Sequence, residues 1–92
     1  MALRLFWSDP AKENLRRILD YIAAEDEGAA ARLRGRIDAM IVPTLEHPYL
    51  FRPGRLPGTR EIVVHPNYIV VYKVAAEHIE VVRVLHTRRK YP

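Results

Sequence analysis

Hydrophobic positions recur with a strand period, then with a helical period, and then with strand-like runs again along this chain. Leu3, Leu5 and Trp7 occupy every second position, the pattern of a short strand. Ser8-Asp9-Pro10 then supplies a cap residue followed by proline at the first helical position. The positions that follow have the spacing i, i+3, i+4 and i+7 of one helical stripe, at Leu15, Ile18, Leu19 and Ile22.

A second helix is predicted from about Ala29, after the polar turn Glu25-Asp26-Glu27-Gly28. Its apolar face consists of Leu33, Ile37, Met40 and Ile41. Pro43 lacks an N–H and clashes with the preceding turn, so we expect a kink or a new turn there, with Leu45 continuing the stripe. Two helices joined by so short a loop predict an antiparallel hairpin.

The second half is rich in β-branched residues and predicts three strands, at Thr59–His65, Tyr68–Val74 and His78–His86. Prolines and glycines make residues 47–58 a loop. Turns of two or three residues between the strands favour an antiparallel meander. The order β-α-α-β-β-β predicts an α+β fold, in which a helical hairpin packs on one face of a small, mainly antiparallel sheet.

Length and composition restrict what this fold can be. Ninety-two residues suffice for one domain, predicted at 1–92. The absence of cysteine excludes disulfides and thiolate metal sites. No apolar run approaches the roughly 18 residues that cross a bilayer, and the apolar start is too short for a secretory signal, so we expect a cytoplasmic protein without membrane contact. Neither a metal ion nor a cofactor is expected, because no histidines have ligand spacing and no glycine-rich phosphate loop is present.

Positive charge is concentrated in the second half of the chain. Fifteen Lys and Arg against 11 Asp and Glu give a net charge of +4. The segments Phe51–Arg60 and Val81–Pro92 contain several cations and no acid. Such a surplus favours a polyanion or an acidic protein as partner.

The tail after the last strand offers candidate chemistry for cleaving an RNA phosphodiester. This reaction needs a group that takes a proton, a group that gives one, and cations that stabilise the phosphorane. An imidazole, a phenol and three cations occur together at His86, Arg88, Arg89, Lys90 and Tyr91. The alternative is a solvated tail in which His86 only closes the strand edge.

Two arginines lie inside strand patterns, at Arg60 and Arg83. Each either binds phosphate on an open face of the sheet or pairs with a carboxylate such as Glu61 or Glu80. Arg83 is expected on the face of Ile79, Val81 and Leu85. Strict alternation would then place Arg83 and His86 on opposite faces, so a shared site requires a bulge or a chain that turns away after Leu85. Three other histidines, His47, His65 and His78, are expected to be turn residues.

These segments together resemble the RelE/ParE superfamily of bacterial type II toxins, over nearly the whole chain. The resemblance is carried by the order and spacing of Trp7-Ser8-Asp9-Pro10-Ala11, Glu46-His47-Pro48, Pro57-Gly58-Thr59-Arg60-Glu61, Tyr68-Ile69-Val70-Val71-Tyr72 and Val81-Val82-Arg83-Val84-Leu85-His86. It implies the fold predicted above. It also implies a hetero-oligomer with a cognate antitoxin, whose acidic, amphipathic C-terminal segment wraps the toxin.

The superfamily implies one of two activities. RelE-like members cleave mRNA in the ribosome, and ParE-like members inhibit DNA gyrase without nuclease activity. The clustering of cations and proton-transfer groups favours the endoribonuclease. The resemblance then makes His86 the acid or base, with the general base unassigned. Arg60 and Arg83 hold the phosphate, and Tyr91 stacks on or orients a base. RNA is bound by Arg55, Arg88, Arg89 and Lys90, the last three of which anchor ribosomal RNA by charge. A third possibility is an interaction module whose charge serves only the antitoxin. The nuclease hypothesis requires Arg60, Arg83 and His86 to meet in one electropositive concavity.

Overall fold

Two helices and four strands make up the fold, which we describe from a computed structural model of residues 2–89 and 91. A short 3-10 helix follows the second helix. In chain order the elements are β1 (Arg4–Trp7), α1 (Asp9–Ala23), α2 (Glu27–Ile41), the 3-10 helix (Val42–Leu45), β2 (Thr59–His65), β3 (Tyr68–Val74) and β4 (His78–His86). The predicted order and the bounds of the last three strands are confirmed.

Side-chain caps begin both helices. The Ser8 hydroxyl accepts a hydrogen bond from the Ala11 N–H at 3.1 Å, and the Asp26 carboxylate accepts one from the Ala29 N–H at 3.0 Å. Each bond satisfies a backbone donor that the first helical turn leaves unpaired. At the other end of α2, Pro43 lies in the 3-10 helix, which is the new turn that the sequence predicts.

The sheet has the strand order β1-β4-β3-β2. The pairs β2–β3 and β3–β4 are antiparallel, whereas β1 runs parallel to β4, with Arg4 opposite His78 and Trp7 opposite Val81. A parallel pair requires a crossover, which here includes the helical hairpin and the meander. The expectation of a mainly antiparallel sheet is confirmed.

The helices cover one face of this sheet, which we call the helix face. The core between them is formed by apolar side chains that are almost completely buried, chiefly Leu15, Leu33, Ile37, Ile41, Ile62, Val70, Tyr72, Ile79, Val81 and Val84. Burying one aliphatic side chain of this size contributes about 1.5–3 kcal/mol, so the helix face is the main source of stability.

The opposite face, which we call the open face, carries a second and smaller apolar cluster. Ile69, Val71 and Leu85 are buried there, with Val82 and Tyr91 packed against them. The cluster is bordered by the loop after α2, which runs back along the edge of β2.

No helix in the described part of the chain is both long enough and apolar enough to cross a membrane.

Candidate functional site

A β-bulge in β4 determines which side chains reach each face of the sheet. Val71 of β3 lies opposite Arg83, whereas Tyr72, the next residue of β3, lies opposite Val81. Val82 therefore has no partner of its own in β3. An extra residue of this kind shifts the alternation of every side chain that follows it.

The bulge moves Arg83 to the open face but does not bring it to the face of His86. Ile79 and Val81 belong to the helix-face core, but Arg83 pairs with an open-face residue and shares that face with Leu85. The expectation that Arg83 lies with Ile79 and Val81 is wrong, and the expectation that it lies with Leu85 is confirmed. Because the bulge precedes Arg83, it leaves Arg83 and His86 on opposite faces.

Arg60 lies on the helix face but far from His86. It is opposite Tyr72, whereas His86 is opposite Tyr68, four residues away and so about 13 Å along the strand. The Arg60 guanidinium donates a hydrogen bond to the Phe51 carbonyl at 2.6 Å. It therefore holds the loop after α2, and the expectation of one concavity shared by Arg60, Arg83 and His86 is wrong.

A buried carboxylate on the open face organises the residues around Tyr91. Glu61 is only 3% exposed, and the Tyr91 hydroxyl donates a hydrogen bond to it. The Arg55 N–H donates to the same carboxylate at 3.0 Å, and the Arg52 guanidinium at 3.4 Å. The Arg55 guanidinium also lies over the Tyr91 ring, 5.0 Å from its centroid.

These contacts fix the charges of Glu61 and Tyr91. Burial alone would raise the pKa of Glu61, but hydrogen bonds from Tyr91 and the Arg55 amide, with the charges of Arg55 and Arg52, outweigh it and lower that pKa. Burial and the neighbouring Glu61 carboxylate raise the pKa of Tyr91 to about 12. At neutral pH the Glu61 carboxylate is therefore negatively charged and the Tyr91 phenol is neutral. The negative charge of Glu61 offsets the positive charges of the arginines that a phosphate would need.

Three of the predicted site residues, Arg55, Arg83 and Tyr91, do share the open face. The alternative in which Arg60 and Arg83 form ion pairs with Glu61 or Glu80 is wrong within residues 2–89 and 91. The cations that contact Glu61 there belong to the loop after α2. The sequence indicates Glu61 only as such a partner. An acid inside a β-branched strand was the available signal for its central position.

On the helix face, His86 is the last of three rings in a row across adjacent strand ends. The Tyr68 ring lies 5.6 Å from His65 and 5.4 Å from His86, between centroids. Both imidazoles accept a backbone hydrogen bond at Nδ1, from the N–H of Asn67 at 3.0 Å and of Arg88 at 3.1 Å. In its neutral form each ring therefore carries its proton on Nε2.

The sequence predicts His65 only as a turn residue and indicates no role in a site for Tyr68. The two-residue turn between them was the signal that they would lie side by side on neighbouring strands.

The remaining cations of the tail follow β4 in a turn. Arg88 and Arg89 are exposed, and the Arg89 N–H donates to the His86 carbonyl at 3.0 Å. Lys90, which the sequence analysis also assigned to RNA binding, lies outside the described residues. Within the described part, no group of three His, Asp or Glu side chains is placed to hold a metal ion.

Sequence comparison identifies relatives along almost the whole chain. Residues 5–91 match the family model for the "ParE toxin of type II toxin-antitoxin system, parDE". The protein Y4kP of Sinorhizobium fredii is 34% identical over 90 residues, which are 97% of this chain and 93% of that protein. The toxin RelE2 of Caulobacter vibrioides is 33% identical over 88 residues, which are 94% of this chain and 97% of that toxin.

Structural comparison finds the same fold in a solved toxin–antitoxin system. A chain of the chromosomal ParDE system of P. aeruginosa superposes with a TM-score of 0.77 at 20% identity. The match covers 92% of this chain and 96% of that chain.

Proposed function

We propose that this chain, which belongs to the ParE toxin family of type II toxin–antitoxin systems, arrests growth by binding and inhibiting DNA gyrase and does not cleave mRNA. Inhibition of gyrase is the activity that the superfamily resemblance implies for ParE-like members. One observation supports gyrase inhibition over mRNA cleavage: Arg60, Arg83 and His86 lie on separate parts of the molecule.

Separated groups argue against a nuclease because phosphodiester cleavage needs its proton donor, its proton acceptor and its cations within hydrogen-bond reach of one phosphate. Arg60 is about 13 Å from His86 along the sheet, and Arg83 is on the other face. Tyr91 is bonded to the ionised Glu61, which repels a phosphate. A toxin that acts by binding needs no such cluster.

A surface suited to binding a protein is present where Arg60 holds the loop after α2. Tyr49 and Leu50 of this loop are 66% and 57% exposed, although both are large and apolar. The Arg60 guanidinium lies 4.8 Å from the centroid of the Tyr49 ring. Tyrosine and arginine are enriched among the residues that dominate protein interfaces, so we propose this surface as the contact with gyrase.

The partner that neutralises the toxin is a separate question from its target. Membership of the family makes the chain the toxin of a type II toxin–antitoxin system. We propose that the cognate antitoxin binds it through an acidic segment, which the net charge of +4 would attract, and that the two chains form a hetero-oligomer in the cytoplasm.

Inhibition of purified gyrase tests the proposed surface. We expect the wild-type protein to inhibit supercoiling of a relaxed plasmid, and the double variant Tyr49→Ala/Leu50→Ala to need at least roughly tenfold more protein, because interface residues of this kind contribute about 2 kcal/mol or more. Phe6→Ala is the control, since Phe6 is an exposed aromatic of β1 outside the loop. Equal inhibition by the double variant and the control would contradict the proposed surface.

The ribosome-dependent mRNA endoribonuclease remains a second candidate because of one specific feature. His86 is only half-buried and is close in sequence to the exposed Arg88 and Arg89. Because its Nδ1 accepts a backbone N–H, its Nε2–H is available to donate a hydrogen bond to a phosphate oxygen. In this alternative His86→Ala abolishes growth arrest, whereas under gyrase inhibition the same variant arrests growth as the wild type does.

A further inference from the structure

We propose that the groove between α2 and the adjoining ends of β2 and β3 binds a single strand of nucleic acid. One phosphate of the strand would be held by the cationic side chains of the groove. The groove is a cavity of about 430 Å³, lined chiefly by Tyr21, Arg32, Leu33, Arg36, His65 and Tyr68. It lies away from the loop of Tyr49 and Leu50, so it is independent of the proposed contact with gyrase.

The charges of this groove favour an anion. Its described lining contains two arginines and no acidic residue. Arg32 has only a distant ion partner, the Asp26 carboxylate at 3.7 Å, and Arg36 forms no ion pair or hydrogen bond with any side chain within residues 2–89 and 91. An arginine without an internal partner keeps its fork of N–H donors available for a phosphate.

Two further donors point to phosphate rather than to a simple carboxylate. His65 accepts the Asn67 N–H at Nδ1, so its neutral ring carries a proton on Nε2. Tyr68 also lines the groove, and its hydroxyl forms no hydrogen bond within the described part of the chain. With Arg36 these groups offer donors of different geometry to a tetrahedral anion.

An exposed aromatic ring suited to base stacking also lines the groove. Tyr21 is 79% exposed, although it is a large ring at the end of a helix whose other apolar residues face the core. Base–aromatic stacking contributes about 1–3 kcal/mol per base and tolerates any sequence.

A second cavity adjoins the groove, which makes an extended strand the best-fitting ligand. This cavity has a volume of about 350 Å³ and is walled mainly by Met40, Val63 and Val64. Arg36 and His65 line both cavities and so lie at their junction. A cationic junction between the ring of Tyr21 and the apolar walls of the second cavity matches the repeat of a strand, in which each phosphate separates two base-bearing sugars. An acidic peptide would not require this alternation.

Fluorescence anisotropy with labelled dT10 and rU10 tests the site, at 50 and 200 mM NaCl. We expect at least one of the two strands to bind. Tyr21→Ala and Arg36→Ala should each weaken that binding at least roughly fivefold, through lost stacking and a lost phosphate contact. Arg36→Ala should also make the dependence of log K on log salt shallower by about 0.7. DNA and RNA share the same phosphate chemistry, and comparing dT10 with rU10 shows which of the two the groove binds.

Two matched controls distinguish strand binding at this groove from non-specific electrostatic binding and from inhibition of gyrase. Arg34→Ala removes an arginine from the same helix that lines a different cavity, and it should bind each strand within twofold of the wild type. Tyr49→Ala/Leu50→Ala should lose gyrase inhibition and keep strand binding, whereas Tyr21→Ala should do the reverse.

The proposal is overturned if neither strand binds, or if Tyr21→Ala and Arg36→Ala bind like Arg34→Ala. It is also overturned if a labelled glutamate-rich peptide binds more tightly than both strands and is weakened by the same two variants, because the groove would then be a peptide site.

Discussion

At the scale of single residues, Glu61 connects the sheet, the loop after α2 and the C-terminal tail. Its carboxylate receives hydrogen bonds from Tyr91, the Arg55 amide and Arg52 while it is almost completely buried. A buried charge is tolerated only when its surroundings satisfy it in this way. We therefore assign Glu61 and Tyr91 a structural role, whichever of the two candidate functions the protein has.

Replacing this carboxylate by an amide should destabilise the protein in a pH-dependent manner. We expect Glu61→Gln to lower the free energy of unfolding at pH 7 by about 1–3 kcal/mol, because the arginine contacts lose their charged partner. The pKa of Glu61 is lowered in the folded state from its ordinary value of 4.5. The stabilisation by the ionised carboxylate is therefore complete above about pH 4.5 and is lost as the pH falls through the folded-state pKa.

Urea unfolding at pH 7 and at pH 3 measures this difference. The gap between wild type and Glu61→Gln should shrink at the lower pH. Glu80→Gln in β4 is the control and should stay within about 0.5 kcal/mol of wild type at pH 7, as expected of a substitution away from a buried network. A gap for Glu61→Gln that is equal at both pH values would show that its charge does not stabilise the fold.

The residue scale is also where sequence reasoning failed most. Residue types identified Arg60, Arg83, His86 and Tyr91 as chemically interesting, but they did not reveal which face each occupies. A single unpaired residue, Val82, changes the face of Arg83, and nothing in a run of valines shows where a bulge lies.

At the scale of elements, the sequence predicted most of what is observed. Strand bounds followed from β-branched runs that end at Pro66-Asn67 and at Ala75-Ala76-Glu77, and the start of α1 followed from Ser8 as its cap. The parallel pairing of β1 with β4 could not be predicted, because four residues specify a strand but not its neighbour.

Replacing either of two glycines by alanine tests the local backbone geometry, and the two replacements should change the stability of the protein in opposite directions. Gly58, in the turn before β2, has φ of +79°, a left-handed conformation that disfavours any other residue. Gly35 lies inside α2, and a methyl group added there meets no atom within 4 Å. Gly58→Ala should destabilise the protein by about 1–2 kcal/mol, and Gly35→Ala should stabilise it by up to about 1 kcal/mol.

Thermal unfolding of the two variants and the wild type checks these signs. If Gly58→Ala melted at or above the wild-type temperature, the left-handed turn before β2 would be incorrect. If Gly35→Ala melted lower, position 35 would not be the open helix surface described above.

At the scale of the whole molecule, the fold separates the side chains that the nuclease hypothesis places in one concavity. Arg83 lies on the open face, whereas Arg60 and His86 lie on the helix face, about 13 Å apart along the strand. This separation is why we favour a toxin that acts by binding gyrase over one that cleaves mRNA.

Induction of the toxin alone in cells tests this central claim most directly, with plasmid topology and mRNA 5′ ends measured in the same samples. We predict loss of negative supercoiling without new mRNA ends, both for the wild type and for His86→Ala. New ribosome-dependent mRNA ends with unchanged plasmid topology, absent in His86→Ala, would contradict the account and establish the nuclease.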